Sequence, residues 1–153
     1  MVPPSLKNAD RNLYSGYNFW VEWEDIVHAG FQECSGLTAT RNVIDYREGT
    51  DATSGKRKLP GMNDYGNITL RRGITDNREM WEWHNLPQNG DGFKREVSII
   101  LADDQGEEKI KWTLQNCWPT SWNGPDFNST SDEVAIETLE LVHEGIIVIK
   151  SNK

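Results

Sequence analysis

The sequence predicts a mainly β protein: a small antiparallel β-barrel or sandwich of about seven strands, with one flanking α-helix and a long extended loop. Three observations lead to this fold class. Apolar and polar residues alternate along several segments, as in antiparallel strands with one face in water. A single segment has the pattern of a helix. The 153 residues are enough for one domain with a real core.

We expect three regions along the chain: an N-terminal arm at 1–16, a β-domain at 17–145 and a C-terminal tail at 146–153. The arm shows no periodicity. In YNFWVEW (17–23), with which the β-domain begins, aromatic or apolar residues occupy every second position. This alternation predicts a half-buried strand. IVHAGF (26–31) predicts a short partner strand after a turn.

The segment 37–46 predicts the next strand, with a change of character along it. One face is polar at Thr38 and Thr40 and becomes apolar at Ile44 and Tyr46. Such a change indicates a bulge, or a long strand that leaves one packing environment for another.

A long loop with charges of both signs follows. Its charged residues are Arg47, Glu48, Asp51, Lys56, Arg57 and Lys58. An ordinary hairpin needs only a tight turn, so the extra length and charge indicate contact with a partner. The basic cluster could dock on an acidic surface of a neighbouring copy, or the loop could be merely solvated. A nucleic-acid site would need a broader basic face, and the net charge is -8.

The next strand, 67–71, precedes the one strong helix signal. The predicted helix begins at Asp76, whose side chain caps the free amides while Glu79 reaches back in a capping box. Met80 and Trp83 fall on one face of this helix, and a proline ends it.

Three more strands complete the predicted fold. They are REVSIIL (95–101), EKIKWTLQNCW (108–118) and EVAIETLELVHE (133–144). ADDQGEE (102–108), between the first two, has the composition of a hairpin turn. The third strand shifts its apolar register partway along, which predicts a twist or a bulge.

Motifs and composition argue against an enzyme, a metalloprotein and a membrane protein. The chain has no phosphate-binding loop, nucleophile elbow or convergent pair of carboxylates, so we expect no catalytic residue and no cofactor. His28, His84 and His143 lack metal-ligand spacing and are expected to be solvated or at strand ends. Cys34 and Cys117 predict two small buried thiols. Without a transmembrane run or signal peptide, we expect synthesis in the cytoplasm and no membrane insertion.

Tryptophan is unusually frequent for so polar a chain. Seven Trp occur although only 36% of the residues are apolar. Disordered chains lack aromatic residues, and aromatic side chains bury much area at protein interfaces. Exposed rings on strands would also suit a soluble carbohydrate-binding β-sandwich module, which is the alternative function. Packing explains them better, because Trp20, Trp23, Trp112, Trp118 and Trp122 come from several elements and both strand faces.

Several blocks between Tyr17 and Gly145 form one ordered and specific set. They are YNFWVEW, F…SGL (Phe31–Leu37), YREG (Tyr46–Gly49), RKLPG (Arg57–Gly61), ITLRRG (Ile68–Gly73), the helix start Asp76–Trp83, CW (Cys117–Trp118) and AIETLELVHEG (Ala135–Gly145). Together they closely resemble the inner-tube proteins of contractile tail machines, a family shared by contractile phages and extracellular contractile injection systems.

This resemblance implies a structural subunit whose β-barrel is related to the type VI secretion tube protein. In that family, hexameric rings stack into a hollow tube, and neighbouring copies join edge strands into one sheet around the lumen. The loop at Gly49–Lys58 corresponds to the family loop that contacts an adjacent subunit or ring. The implied partners are a sheath, a baseplate and terminal cap proteins, with a cargo effector or genome in the lumen of a phage-tail-like particle.

Overall fold

The computed structural model describes residues 13–24, 26–28, 30–47, 49 and 55–150, with the backbone alone for 26–28. These residues form ten β-strands and one α-helix, so the mainly β fold class is confirmed, with more strands than predicted. The first five strands are β1 (Phe19–Trp23), β2 (Ile26–His28), β3 (Phe31–Ser35), β4 (Ala39–Tyr46) and β5 (Arg57–Tyr65). The remaining elements are β6 (Ile68–Gly73), α1 (Glu79–His84), β7 (Arg95–Ala102), β8 (Glu108–Asn123), β9 (Ile136–Val142) and β10 (Gly145–Lys150).

Eight strands form one antiparallel sheet in the order β2-β1-β7-β8-β9-β6-β3, and β10 pairs with β8. The long strand β8 joins the two halves of this sheet. Its first part pairs with β7 and β10, and its last part, Trp118–Asn123, pairs with β9. The sheet folds over the core. Trp23 of β1 and Phe31 of β3, from opposite halves of the strand order, are in contact with ring centroids 6.1 Å apart. The result is a barrel-like sandwich.

The core lies between the two halves of the folded sheet and under α1. Its fully buried side chains include Val21, Ile68, Leu70, Met80, Val97, Leu114, Leu139 and Leu141. Trp83 of α1 packs against Trp23 at 5.4 Å, and its Nε1 donates a hydrogen bond of 2.7 Å to the carbonyl of Phe93. The predicted apolar helix face at Met80 and Trp83 is therefore the face that the core buries.

The start of α1 differs from the predicted capping box. The helix begins at Glu79, three positions after Asp76, and the oxygen of Asn77 accepts the Glu79 amide at 2.9 Å. The Glu79 carboxylate accepts a hydrogen bond of 2.7 Å from Arg72 Nη1. A buried guanidinium attracts a carboxylate strongly, so the Glu79 side chain binds Arg72 of β6, in the sheet below the helix. We therefore correct the assignment of Asp76 as the cap.

Part of the segment between the predicted strands at 37–46 and 67–71 is a further strand, β5, which forms a β-hairpin with β4. β4 and β5 pair from Ala39 opposite Tyr65 to Tyr46 opposite Arg57. The register shifts between Arg41 and Val43, which is the irregularity predicted for this segment. Strand β5 escaped prediction because both of its faces are largely exposed, so no alternation marks it.

The predicted tail at 146–153 is wrong for residues 146–150. These residues belong to β10, which pairs with β8 from Gly145 opposite Gln115 to Lys150 opposite Ile110. The apolar residues 146–149 form this strand, and the backbone of β8 provides its hydrogen-bonding partners. The β-domain therefore extends at least to 150.

The turn between β7 and β8, predicted as a hairpin, is held by Asp103. Its Oδ1 accepts the amides of Gln105 at 3.0 Å and Glu107 at 2.9 Å, and Lys109 Nζ lies 3.6 Å from Oδ2. The Glu107 amide is the main cause that lowers the pKa of Asp103. It outweighs a raising effect of desolvation, and the Gln105 amide and Lys109 assist it.

Asp103→Asn should lower stability in a pH-dependent way. A carboxyl group whose folded pKa is lowered stabilises the fold above its unfolded pKa, about 4, and this stabilisation is lost as pH falls through the folded pKa. The melting temperature of the variant should therefore lie below that of the unsubstituted protein at pH 7, and the two should converge in acid. Asp104→Asn, at an exposed position of the same turn, is the matched control. A difference that persists undiminished at low pH would contradict this role.

Candidate functional site

The β4–β5 hairpin is the candidate functional site. Among the described residues, its two strands pair only with each other, and every residue of β4 is exposed. Large apolar side chains face solvent at Val43, Ile44, Leu59 and Met62. A two-stranded ribbon is marginally stable alone in water, so such a surface indicates an interaction site.

The described members of the sequence-predicted contact set lie at the far end of this hairpin. Arg47 follows β4, Lys56 precedes β5, and all the basic residues of the set, including Arg57 and Lys58, are exposed. The register sets Asp45 opposite Lys58 and Tyr46 opposite Arg57. Glu48 and Asp51 lie outside the described residues. The contact role of the whole set stays a prediction.

His143 ties the base of the hairpin to the start of β10. Its Nε2 lies 3.1 Å from the carbonyl oxygen of Gly66, just after β5, and its Nδ1 lies 3.3 Å from that of Gly145. Its ring also packs against Tyr65 with centroids 5.4 Å apart. The Gly66 amide in turn donates to the carbonyl of Thr38 at 3.2 Å, so the two limbs leave the sandwich together. The sequence predicted a solvated or strand-end position for His143 and did not indicate its contacts with Gly66 and Gly145.

A groove of about 570 Å³ lies between the hairpin base and the main sheet. Ala39 and Thr40 of β4 line one side, and Trp112, Ile146 and Val148 of β8 and β10 line the other. The β10 side is apolar. Sequence reasoning missed this groove because the pairing of 112 with 148 joins distant parts of the chain.

The two cysteines are free thiols without reactive character. Cys117 is buried and Cys34 is half-buried. Burial raises the pKa of Cys34 to about 12, with the charge of Glu33 adding to the effect. Burial likewise raises the pKa of Cys117 to about 12, against a lowering hydrogen bond from the Val97 backbone. Thiols held protonated are poor nucleophiles and poor metal ligands.

The tryptophans do not form a flat exposed platform. Trp23 and Trp83 lie in the core, and Trp118 stacks on Phe93 at 5.8 Å. Trp81 is the one tryptophan more than a third exposed, and it packs edge-on against Trp122 at 5.0 Å. This arrangement gives no support to the alternative of a carbohydrate-binding module.

In the described part of the chain, no group of three or more His, Cys, Asp or Glu side chains is placed to hold a metal ion. No helix in that part is long and apolar enough to cross a membrane.

Solved structures of similar fold come from contractile injection systems. A chain of the anti-feeding prophage cap, described as a tube-terminating cap, is 29% identical, with a TM-score of 0.83 over 99% of this chain and 100% of that one. A chain of the PVC sheath–tube complex in the extended state is 29% identical, with a TM-score of 0.82 over 96% and 100%. A chain of the PVC sheath/tube terminator is 31% identical, with a TM-score of 0.80 over 90% and 97%.

The family of the chain follows from its sequence as well. No curated protein matches the chain. The model of the T4-like virus tail tube protein gp19, however, matches residues 15–147, which include every strand except the last residues of β10. The chain therefore belongs to the tail tube protein family and is a structural subunit of a tube.

Proposed function

We propose that this chain builds the inner tube of a contractile injection system or phage tail, as hexameric rings that stack into a hollow conduit. The β4–β5 hairpin is the observation that carries the proposal. It exposes Val43, Ile44, Leu59 and Met62 on a ribbon that no other described strand covers. Within a tube, a second copy of the chain supplies the cover.

The partners follow from the machine to which such a tube belongs. Chains of similar sequence occur in a sheath–tube complex and in a tube-terminating cap. We infer that this chain likewise assembles with a sheath, a baseplate and a terminal cap into a phage-tail-like particle. A cargo effector or a genome would pass through the lumen when the sheath contracts.

Negative-stain electron microscopy of the purified protein tests the proposal. Rings with six-fold symmetry and a central hole, alone or stacked, are expected. A protein that stays monomeric at high concentration and binds glycans would contradict the tube and favour the carbohydrate-binding module.

Charge reversal at the end of the hairpin should block stacking. In the triple variant Lys56→Glu, Arg57→Glu, Lys58→Glu, like charges would meet where the basic cluster docks on an acidic surface of another copy. We expect short or absent tubes in micrographs, with a circular dichroism spectrum and melting temperature close to those of the unsubstituted protein, because all three residues are exposed.

Lys94→Glu provides a control, since Lys94 is an exposed lysine outside the hairpin. At low salt, the Lys94→Glu protein should form tubes as long as those of the unsubstituted protein. If the triple variant also forms tubes of that length, the basic cluster is only a solvated segment and has no docking role.

A further inference from the structure

Four neighbouring strand segments present a polar face to solvent. They are β3, β6, β9 and the last part of β8, Trp118–Asn123. Leu70 of β6 and Leu139 of β9 are buried in the core. Because side chains alternate along a strand, their neighbours in sequence point away from the core. None of the large apolar side chains that are exposed in the described chain lies on these four segments, so this face is suited to remain in contact with water.

Glu140 is an uncompensated carboxylate on this face. Thr69 of β6 lies opposite it, and Ser35 of β3 lies opposite Thr69. Asn67 Nδ2 donates a hydrogen bond of 2.7 Å to Glu140 Oε1, and Ser121 Oγ lies 3.4 Å from Oε2. No lysine or arginine in the described part of the chain forms an ion pair with Glu140. Neutral donors therefore orient this carboxylate without cancelling its charge.

The two other charged side chains that these segments direct outward compensate each other. Arg71 of β6 lies opposite Glu33 of β3, and its Nη1 is 3.3 Å from Glu33 Oε2. On its other side, Arg71 lies opposite Thr138 of β9, which is uncharged. The face thus carries a net negative charge in each copy, and Glu140 is its source.

The opposite face of the sandwich has a different character. Ile146 of β10 packs on the core, so Ile147 and Ile149 point away from the core on that side, and both are exposed. Exposed apolar side chains are typical of surfaces that bind partners. In a hollow tube, one face of each copy lines the lumen and the other faces outward. Cargo moves more easily along a polar lining than along an adhesive apolar one.

We propose that the polar face lines the lumen and that Glu140 there binds lysine and arginine side chains of a protein cargo. This assignment rests on the proposed tube function and names the chemical class of the cargo. Ring symmetry repeats the carboxylate around the lumen, and stacking repeats it along the tube. Each contact with a basic group is weak and is screened by salt, so the cargo is held loosely and can still move.

Charge complementarity favours a basic protein over a nucleic acid as the occupant. Repeated carboxylates in a narrow passage raise the local concentration of cationic groups. The phosphates of DNA have the same sign of charge as Glu140 and are repelled by it. The hydroxyl groups of Ser35 and Thr69 can donate or accept hydrogen bonds with either class of cargo and add no preference. The carboxylate therefore decides which class is bound.

Thr138→Cys tests the position of the face independently of its charge. A small maleimide dye should label this cysteine in tubes and in unassembled subunits, because water fills the lumen. A maleimide carried on a large dextran should label the subunits and barely label the tubes. The unsubstituted protein, with Cys34 and Cys117, gives the background. Labelling of intact tubes by the large reagent, or failure of the small dye to label them, would overturn the assignment of this face to the lumen.

Cosedimentation of a fluorescent decalysine peptide with assembled tubes tests the cargo class. Tubes should bind this peptide at low salt, release it at high salt, and bind neither a decaglutamate peptide nor a short DNA duplex. Glu140→Gln keeps the size of the side chain and an oxygen that can accept the Asn67 hydrogen bond. It should weaken decalysine binding by about fivefold or more, because the lost contact is repeated along the tube. Thr69→Lys should weaken binding similarly, since it places a compensating charge opposite Glu140.

Glu82→Gln is the matched control, because it removes the same charge at an exposed position of α1. Its tubes should bind decalysine as unsubstituted tubes do. Equal weakening by Glu82→Gln, or undiminished binding to Glu140→Gln and Thr69→Lys tubes, would overturn the role of Glu140 and leave the tube function standing. Preferential binding of the DNA duplex would overturn it in favour of a genome as cargo. An unsubstituted protein that forms no tubes would overturn the tube function and this inference with it.

Discussion

Arg72→Met should lower the free energy of unfolding by about 3 to 5 kcal/mol, the usual cost of leaving buried charges without their partner. Arg72 is 5% exposed, and its Nε donates to Glu137 at 2.8 Å while its Nη1 donates to Glu79 at 2.7 Å. Its guanidinium also lies 5.5 Å from the ring centroid of Phe31. One side chain thus connects β6, β9, α1 and β3, and without it two carboxylates remain close together with little water.

Arg71→Met is the matched control for this prediction. Arg71 is the preceding residue on the same strand, and its ion pair with Glu33 spans 3.3 Å with both side chains nearly half exposed. An exposed pair contributes about 0 to 1 kcal/mol, so this variant should differ little from the unsubstituted protein. Chemical denaturation of both variants at pH 7 measures the difference. Equal stability of the two would show that the buried network contributes no more than a surface pair.

Strands with one face towards the core and the other towards solvent were predictable from the sequence. The alternation in β1, β8 and β9 places their apolar residues inside, and the turn at 102–108 lies where its composition predicts. Two strands were missed for opposite reasons. β5 is exposed along most of its length, and β10 is an unbroken apolar run that resembles a tail. Both strands are recognisable only beside their partner strands.

The candidate site was predictable in location and only partly in structure. Unusual length and charge between Asp45 and Lys58 marked the segment as an interaction site. Sequence could not show that this segment connects two paired strands, β4 and β5. The Arg72–Glu137 pair was equally hidden, because its members are 65 residues apart in the chain. Such features arise from register between distant strands, which local periodicity does not report.

Gly36→Ala should cost about 2 to 5 kcal/mol, the sum of a left-handed backbone at a residue with a Cβ and a steric overlap in a packed region. Gly36 has φ +94°, and an added Cβ would lie 1.9 Å from the carbonyl oxygen of Asn67 and 3.5 Å from Cα of Ile68. Ile68 is fully buried at the start of β6, so relief requires a shift of a core strand. Thermal and chemical denaturation would measure the loss.

Gly106→Ala separates the two contributions to that cost. Gly106 has φ +82° but nothing within 4 Å of an added Cβ, so its substitution carries the backbone strain without the overlap. We expect it to cost about 1 to 2 kcal/mol and to leave rings intact. Gly36 lies where the hairpin leaves the sandwich, so any Gly36→Ala protein that still folds should carry a displaced hairpin and form fewer rings. Equal effects of the two substitutions would show that the close approach at Asn67 relaxes freely and does not set the position of the hairpin.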